Sequence, residues 1–175
     1  MVNSYTIKIS TIGVISAMLI ISGCITFPTN YEDDVLSFKI PTHWRVDEEK
    51  FSDELAKLRP VDANYPVIHI HQSDLKPHTI IDGYITKYPY EYPRFEIVTR
   101  EYVKVNGLDG EKLIYKNTAQ DDFLLIGPYF YSVVVAFGKA NQTYIITSTE
   151  AMEHTYYSKV DPALAVLLDS IKIKE

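Results

Sequence analysis

Short hydrophobic segments with the features of β-strands recur along this chain, some as an imperfect alternation of hydrophobic and polar positions and others as continuous apolar runs. The apolar, β-branched and aromatic runs are bounded by Pro, Gly and Asn, which favour turns between strands. Asn106-Gly107 is a strong signal for a tight β-hairpin, and residues 138–141 predict a second hairpin. The pattern predicts strands over residues 35–40, 44–46, 65–71, 95–105, 111–116, 129–138, 143–148 and 171–173.

Three segments have the spacing of an amphipathic helix instead. Ile80, Tyr84 and Tyr88 fall on one helical stripe, which predicts a helix over 79–88 that ends at Pro89. Phe51, Leu55 and Leu58 predict a short helix or turn over 51–58. A last helix is predicted over 155–168, with Asp161 as N-cap of its main segment, Pro162 at its first position, and three inward-facing residues, Leu164, Leu167 and Leu168.

The order of these elements predicts the fold class. Strands, a helix, a run of antiparallel hairpins, a helix and an end strand indicate an α+β domain with helices packed on a mostly antiparallel sheet. The chain has 175 residues, a length that suits one domain.

The N-terminal segment has the features of an export signal. One Lys precedes an apolar stretch, and Leu19-Ile20-Ile21-Ser22-Gly23-Cys24 resembles the lipobox of prokaryotic lipoproteins. We therefore expect residues 1–23 to be a signal peptide, Cys24 to be lipidated, 24–30 to be a short tether and 31–175 to be the domain. An uncleaved signal anchor is the alternative. Either predicts a domain held at the cell membrane and facing outside the cytoplasm.

Composition excludes several classes of function. The net charge is −6 and there is no Lys/Arg cluster, so a nucleic-acid partner is not expected. Cys24 is the only cysteine, so a lipidated chain has no intramolecular disulfide, no cysteine nucleophile and no thiolate zinc site.

Three motifs resemble the PsbP-like domain family. Phe38-Lys39-Ile40-Pro41 followed by Trp44 is similar to the family's opening, and residues 103–110 (VKVNGLDG) are similar to its central hairpin. Tyr144-Ile145-Ile146-Thr147, followed by residues 168–173, resembles its closing segment. With the lipobox, the chain resembles PsbP-related lipoproteins of methanogenic archaea. The resemblance implies a Mog1/PsbP-like α/β/α sandwich with a mostly antiparallel sheet, but it implies no activity, because related domains have unrelated roles.

The best candidate for chemistry is a pair of histidines. His69 and His71 share one face of a predicted strand, with Ile68 and Ile70 on the other face. Two imidazoles at this spacing can bind one divalent metal, with Asp74 and His78 nearby in the sequence. The alternative is that both histidines are ordinary polar residues on an exposed strand face.

Other clusters have simpler interpretations. Tyr90 and Tyr92 are candidates for an exposed binding patch, although packing is the stronger reading for the aromatic stretch. The acidic groups at residues 47–49, 53–54 and 121–122 lack the spacing of a calcium loop and are interpreted as solvated surface. No hydrolase, P-loop or dinucleotide motif occurs, so we predict a non-enzymatic binding or assembly module that has no cofactor and an unidentified protein partner. A metal-binding surface protein is the first alternative and a cell-envelope hydrolase the second.

Overall fold

A computed structural model describes residues 29–92, 94–118, 128–139 and 141–174. The predicted signal peptide, Cys24 and most of the predicted tether lie outside the described residues. The strands are β1 (Asn30–Glu32), β2 (Leu36–Lys39), β3 (Trp44–Val46), β4 (Glu54–Pro60), β5 (Ile68–Ser73), β6 (Glu96–Val105), β7 (Leu108–Thr118), β8 (Tyr129–Lys139), β9 (Gln142–Ser148), β10 (Ala151–Met152) and β11 (Lys172–Ile173). Helix α1 is Pro77–Glu91, α2 is Glu153–Thr155 and α3 is Asp161–Ser170, with a π-helical turn, Tyr156–Val160, between α2 and α3.

All the strand pairs are antiparallel. The large sheet has the order β3-β4-β5-β9-β8-β7-β6, with β10 paired to β8, and the small sheet has the order β1-β2-β11. Asn30 pairs with Lys39, and the Thr29 carbonyl accepts the Ile40 N–H. Two residues assigned to the tether, Thr29 and Asn30, therefore already pair with the folded domain.

The large sheet buries apolar side chains on both faces. One face packs with α3 and the small sheet around a core that includes Trp44, Ile70 and Leu164. The other face packs against α1 through Ile81, Leu113 and Val134. Because α1 contacts β7 and β8, we call this second face the α1 face. These layers confirm the predicted α+β class.

The predicted helix over 51–58 is wrong. Residues 54–60 form β4, in which Ala56, Leu58 and Pro60 are buried while the residues between them are half-buried. The spacing of Phe51, Leu55 and Leu58 favours a helix over a regular strand, and pairing with β3 and β5 overrides it.

The predicted helix ends also need correction. Pro89 lies inside the last turn of α1 and does not end it, since the helix continues to Glu91. Asp161 is not an N-cap, since helical backbone precedes it and its N–H donates to the Tyr156 carbonyl five residues earlier. A proline in a regular α-helix clashes with the carbonyl four residues before it, and we attribute the π-helical turn before Pro162 to relief of that clash.

Both predicted hairpins are confirmed. Asn106 and Gly107 have φ angles of 47° and 85°, which fit the left-handed region that a two-residue hairpin requires. β8 is buried over most of its length between β7 and β9, as expected for a central strand.

Candidate functional site

A β-bulge in β4 places Glu54 on the same face of the sheet as the two predicted metal ligands. Glu54 pairs with His71 and Lys57 pairs with His69, and the register shifts between Glu54 and Ala56. In a regular strand, residues 54 and 57 would face opposite sides of the sheet, because side chains alternate. The extra residue of the bulge brings Glu54 to the α1 face, beyond the edge of α1.

The carboxylate of Glu54 is buried between its partners. Its side chain is 0% exposed, its Oε1 contacts His69 Nδ1 through a short hydrogen bond, and its Oε2 accepts the Phe51 N–H at 2.7 Å. A buried carboxylate is destabilising unless it is hydrogen-bonded, and here both oxygens have a partner. One nitrogen or oxygen atom from each of Glu54, His69 and His71 lies within 4.8 Å of the others.

The two imidazoles are stacked and only partly buried. Their centroids are 5.9 Å apart with 19° between the ring planes, and the His69 and His71 side chains are 17% and 26% exposed. His71 Nδ1 lies 3.8 Å from an oxygen of Asp53, whose side chain is 79% exposed. The cluster is therefore buried on the Glu54 side and open to solvent on the Asp53 side.

The cationic side chains of β4 are held by other groups. Lys57, the cross-strand neighbour of His69, lies 3.5 Å from an Asp47 oxygen, and its ammonium also donates to the Glu49 carbonyl. Arg59 donates to the other oxygen of Asp47 at 2.9 Å. Asp47 is therefore paired with two cations, while Glu54 is paired with imidazole.

The structure confirms the shared face of His69 and His71 but brings different carboxylates to them. Asp74 and His78 are exposed, beyond the end of β5 and in the first turn of α1, and the described cluster does not contain them. The interpretation of the acidic groups as solvated surface is wrong for Asp47 and Glu54, which are 8% and 4% exposed. Residues 121–122 lie outside the described part of the chain. Sequence reasoning missed Glu54 because a bulge is not visible in the hydrophobic pattern.

The other edge of the large sheet is a second candidate site. Within the described residues, β6 pairs only with β7, so one side of its ten-residue backbone has no strand beside it. Ile97, Val98 and Tyr102 are exposed on it, Tyr102 by 90%. A bulge between Ile97 and Thr99 interrupts the pairing with β7, so the regular part of this edge runs over residues 99–105.

Charged side chains of β6 already have partners within the protein. The pairs are Glu96 with Lys116, Arg100 with Glu111 and Asp82, Glu101 with Lys112, and Lys104 with Asp109. What β6 presents to a partner is therefore its backbone and its exposed apolar side chains.

The tyrosines of α1 form a packed aromatic cluster rather than an exposed patch. Tyr84, Tyr88, Tyr92, Phe95 and Tyr115 are linked by ring centroid distances between 4.8 and 6.5 Å. Burial raises the pKa of Tyr84, Tyr88 and Tyr115. Of the two candidates for exposure, Tyr90 is 90% exposed while Tyr92 is half-buried in this cluster.

A groove of about 520 Å³ lies between the start of β3 and helix α3. Trp44, Pro60, Pro162 and Val166 contribute apolar surface to it, and Lys159 lies 3.8 Å from Asp62 at the same groove. Trp44 belongs to the hydrophobic core and is only 5% exposed, and it also lines this groove.

Comparisons with known proteins identify the fold. LpqN, involved in cell envelope biogenesis of Mycobacterium tuberculosis, matches with a TM-score of 0.59 and 14% identity over 83% of this chain and 88% of LpqN. Cyanobacterial PsbP (CyanoP) from Synechocystis sp. PCC 6803 matches with a TM-score of 0.55 and 11% identity over 83% of this chain and 91% of that chain. The fold is PsbP-like.

Sequence comparisons add nothing to this assignment. No protein-family model matches the chain, and a search of characterised proteins finds no match.

A structure from Bacteroides thetaiotaomicron also shares the fold, with a TM-score of 0.55 and 10% identity over 84% of this chain and 48% of that one. None of the helices in the described part of the chain is long and apolar enough to cross a membrane.

Proposed function

We propose that this protein is a non-catalytic binding module, tethered to the outer side of the cell membrane through Cys24, that binds an extended segment of a partner protein along β6. The observation that carries the proposal is the exposed edge of β6, where the charged side chains are paired within the protein and apolar side chains are exposed to solvent. An open strand edge pairs with another strand through backbone hydrogen bonds, and adjacent side chains provide specificity. The metal-binding alternative is developed separately below, and the hydrolase alternative stays an untested prediction.

The hairpin geometry indicates which backbone groups are available. Val105 and Leu108 flank a two-residue turn, and such flanking residues form a hydrogen-bonded pair. Hydrogen-bonded and non-hydrogen-bonded pairs then alternate along the strands, so the N–H groups of Tyr102 and Lys104 point away from β7. These are the groups that an added strand would use.

A matched pair of substitutions tests the binding edge. Tyr102→Pro removes an outward N–H and the side chain, whereas Tyr102→Thr removes the side chain and keeps the N–H. Proline is tolerated on an edge strand at such a position, so both variants should fold. The unmodified chain is used to capture a partner protein from solubilised membranes of the native cells. We expect the proline variant to lose this partner and the threonine variant to retain part of it.

Equal capture by all three proteins would exclude pairing along β6. The tether is tested independently with Cys24→Ser, which we expect to move the protein from the membrane to the soluble fraction. If Cys24→Ser protein stays wholly with the membrane, the N-terminal segment is an uncleaved anchor and not a lipoprotein signal. The two results are separable, because β6 binding does not depend on how the chain is anchored.

A further inference from the structure

We propose that Glu54, His69 and His71 bind one divalent transition-metal ion of the Zn²⁺ class, with Asp53 at the solvent-exposed side of the ion. The donor atoms of the first three residues converge to within 4.8 Å of one another. They come from β4 and β5, adjacent strands of the large sheet, so their backbone positions are fixed by pairing rather than by a loop. This proposal does not depend on β6 binding or on the membrane tether.

The chemistry of the donors selects the class of metal. Two imidazoles with one or two carboxylates suit Zn²⁺ and its neighbours in the first transition series. Ca²⁺ and Mg²⁺ prefer an all-oxygen set, usually of six or more ligands, which this cluster does not provide.

The burial of Glu54 supports its role as a ligand. Its side chain is 0% exposed, and the Phe51 N–H holds Oε2 while Oε1 faces His69. An ion that takes Oε1 and His69 Nδ1 as ligands replaces the hydrogen bond between them, and the shared proton leaves to solvent. Ligand atoms of a tetrahedral Zn²⁺ are about 3.3 Å apart. Oε1 and Nδ1 must therefore move slightly apart before both can bind the ion.

The exposed side of the cluster gives an ion its entry path. His71 is partly exposed, and Asp53 beside it is largely exposed. Lys57 of β4 is the cross-strand neighbour of His69, and its ammonium pairs with Asp47 and donates to the Glu49 carbonyl. A cation therefore approaches through the His71 and Asp53 side, where the nearest charged group is a carboxylate.

A purely structural role for the cluster makes a different prediction. A buried Glu54–His69 pair would stabilise β4 against β5 whether or not a metal is present, and it would not involve His71. Metal binding requires all three residues together. His71 is therefore the residue that separates the two interpretations.

Titration calorimetry of the full chain in detergent with Zn²⁺ tests the proposal. We expect one ion per chain, a rise in melting temperature with Zn²⁺, and no response to Ca²⁺. His71→Ala and Glu54→Gln should each weaken Zn²⁺ binding by at least about 100-fold. His78→Ala is the matched control, because His78 is exposed outside the cluster, and it should bind Zn²⁺ as the unmodified chain does.

Folding of the variants is verified separately. Glu54→Gln keeps an acceptor for the Phe51 N–H, and the His71 side chain is partly exposed, so both variants should keep the far-UV circular dichroism of the unmodified chain. Bound Co²⁺ gives a visible absorption spectrum that reports its ligands, and this spectrum should change in both variants. Unchanged Zn²⁺ affinity and Co²⁺ spectrum in His71→Ala would overturn the proposal, as would loss of binding in His78→Ala.

Discussion

Two buried glutamates on the same face of the large sheet have opposite surroundings. Glu54 on β4 and Glu111 on β7 are 4% and 3% exposed. They belong to one row of cross-strand neighbours, which runs from Glu54 through His71, Ile145 and Ala136 to Glu111. Similar burial and the same face therefore allow their partners to be compared directly.

The partners decide what each glutamate can do. Arg100 Nε donates to Glu111 Oε1, and the same guanidinium donates to Asp82 of α1 at 2.8 Å. The hydrogen bond that Arg100 donates to Glu111, together with the negative charge of that carboxylate, raises the pKa of Arg100, and arginine stays charged at any pH at which the protein is studied. Glu54 is paired with imidazole, which has a neutral form that binds metals.

This difference explains why we assign the metal site to only one of the two regions. A permanent cation already balances Glu111 and attaches the β6–β7 hairpin to α1. Imidazoles, unlike a guanidinium, can exchange a proton for a metal ion. The same residue type, at the same depth in the sheet, therefore fits a structural pair in one region and the proposed metal site in the other.

The largest effect is expected where β7 meets β8, next to Glu111. A Cβ added at Gly110 would lie 2.8 Å from the Ala136 carbonyl oxygen and 2.8 Å from Phe137 Cβ. Because both are part of β8, the strands must move apart, and Gly110→Ala should lower the free energy of unfolding by about 3 kcal/mol. Urea denaturation measures this loss.

A second glycine serves as the control for that substitution. A Cβ added at Gly83 in α1 meets nothing within 4 Å, so Gly83→Ala should stabilise the protein by up to about 1 kcal/mol through helix propensity. Stabilisation by Gly110→Ala would show that β7 and β8 are less closely packed than described, and the burial of Glu111 would then no longer match that of Glu54.

The aromatic cluster beside α1 predicts a loss of stability at high pH. Burial raises the pKa of Tyr115 above the ordinary value of 10.0, so the folded state favours the neutral phenol. Its stabilisation is complete below pH 10 and is lost as the pH rises further, by about 1.4 kcal/mol per pH unit. In Tyr115→Phe the free energy of unfolding should fall less steeply above pH 10. Tyr90→Phe, at an exposed ring, should retain the steep fall.

Replacing the partner of each glutamate compares the two regions directly. Arg100→Gln removes the charge that balances Glu111 and should cost about 1 kcal/mol, a reduced value because the Arg100 side chain is 39% exposed. His69→Gln keeps a neutral donor for Glu54 and should cost less than Arg100→Gln does. Urea denaturation at pH 7 measures both, and Lys104→Gln, in an exposed ion pair, should change nothing. A larger loss at His69 than at Arg100 would reverse the assignment of structural and binding roles.

Sequence periodicity predicted most of the fold because it follows burial. The continuous apolar runs in 129–138 and 143–148 became central strands, and Asn106-Gly107 became the predicted turn. It failed at Phe51, Leu55 and Leu58, whose spacing fits a helix, because non-local pairing with β3 and β5 determines the conformation of that segment.

Half of the candidate site was visible in the sequence. His69 and His71 share a face because they are two residues apart on one strand, which is local information. Glu54 joins them through a bulge and a register with β5, neither of which leaves a mark in the hydrophobic pattern. The sequence therefore indicated neighbours in the chain, Asp74 and His78, in place of the neighbour across the sheet.

The smallest effect on stability is expected at Asp53, and it defines the limits of the site. Asp53→Asn should change the free energy of unfolding by less than about 0.5 kcal/mol, because its side chain is 79% exposed. If Asp53 contacts the ion or orients His71, calorimetry should show Zn²⁺ affinity reduced by about 10-fold. Asp109→Asn is the control, since Asp109 is an equally exposed aspartate on the β6–β7 hairpin. Unchanged Zn²⁺ affinity in Asp53→Asn would restrict the donors to Glu54, His69 and His71. The remaining coordination position of the ion would then face solvent, where a group from a partner protein can reach it.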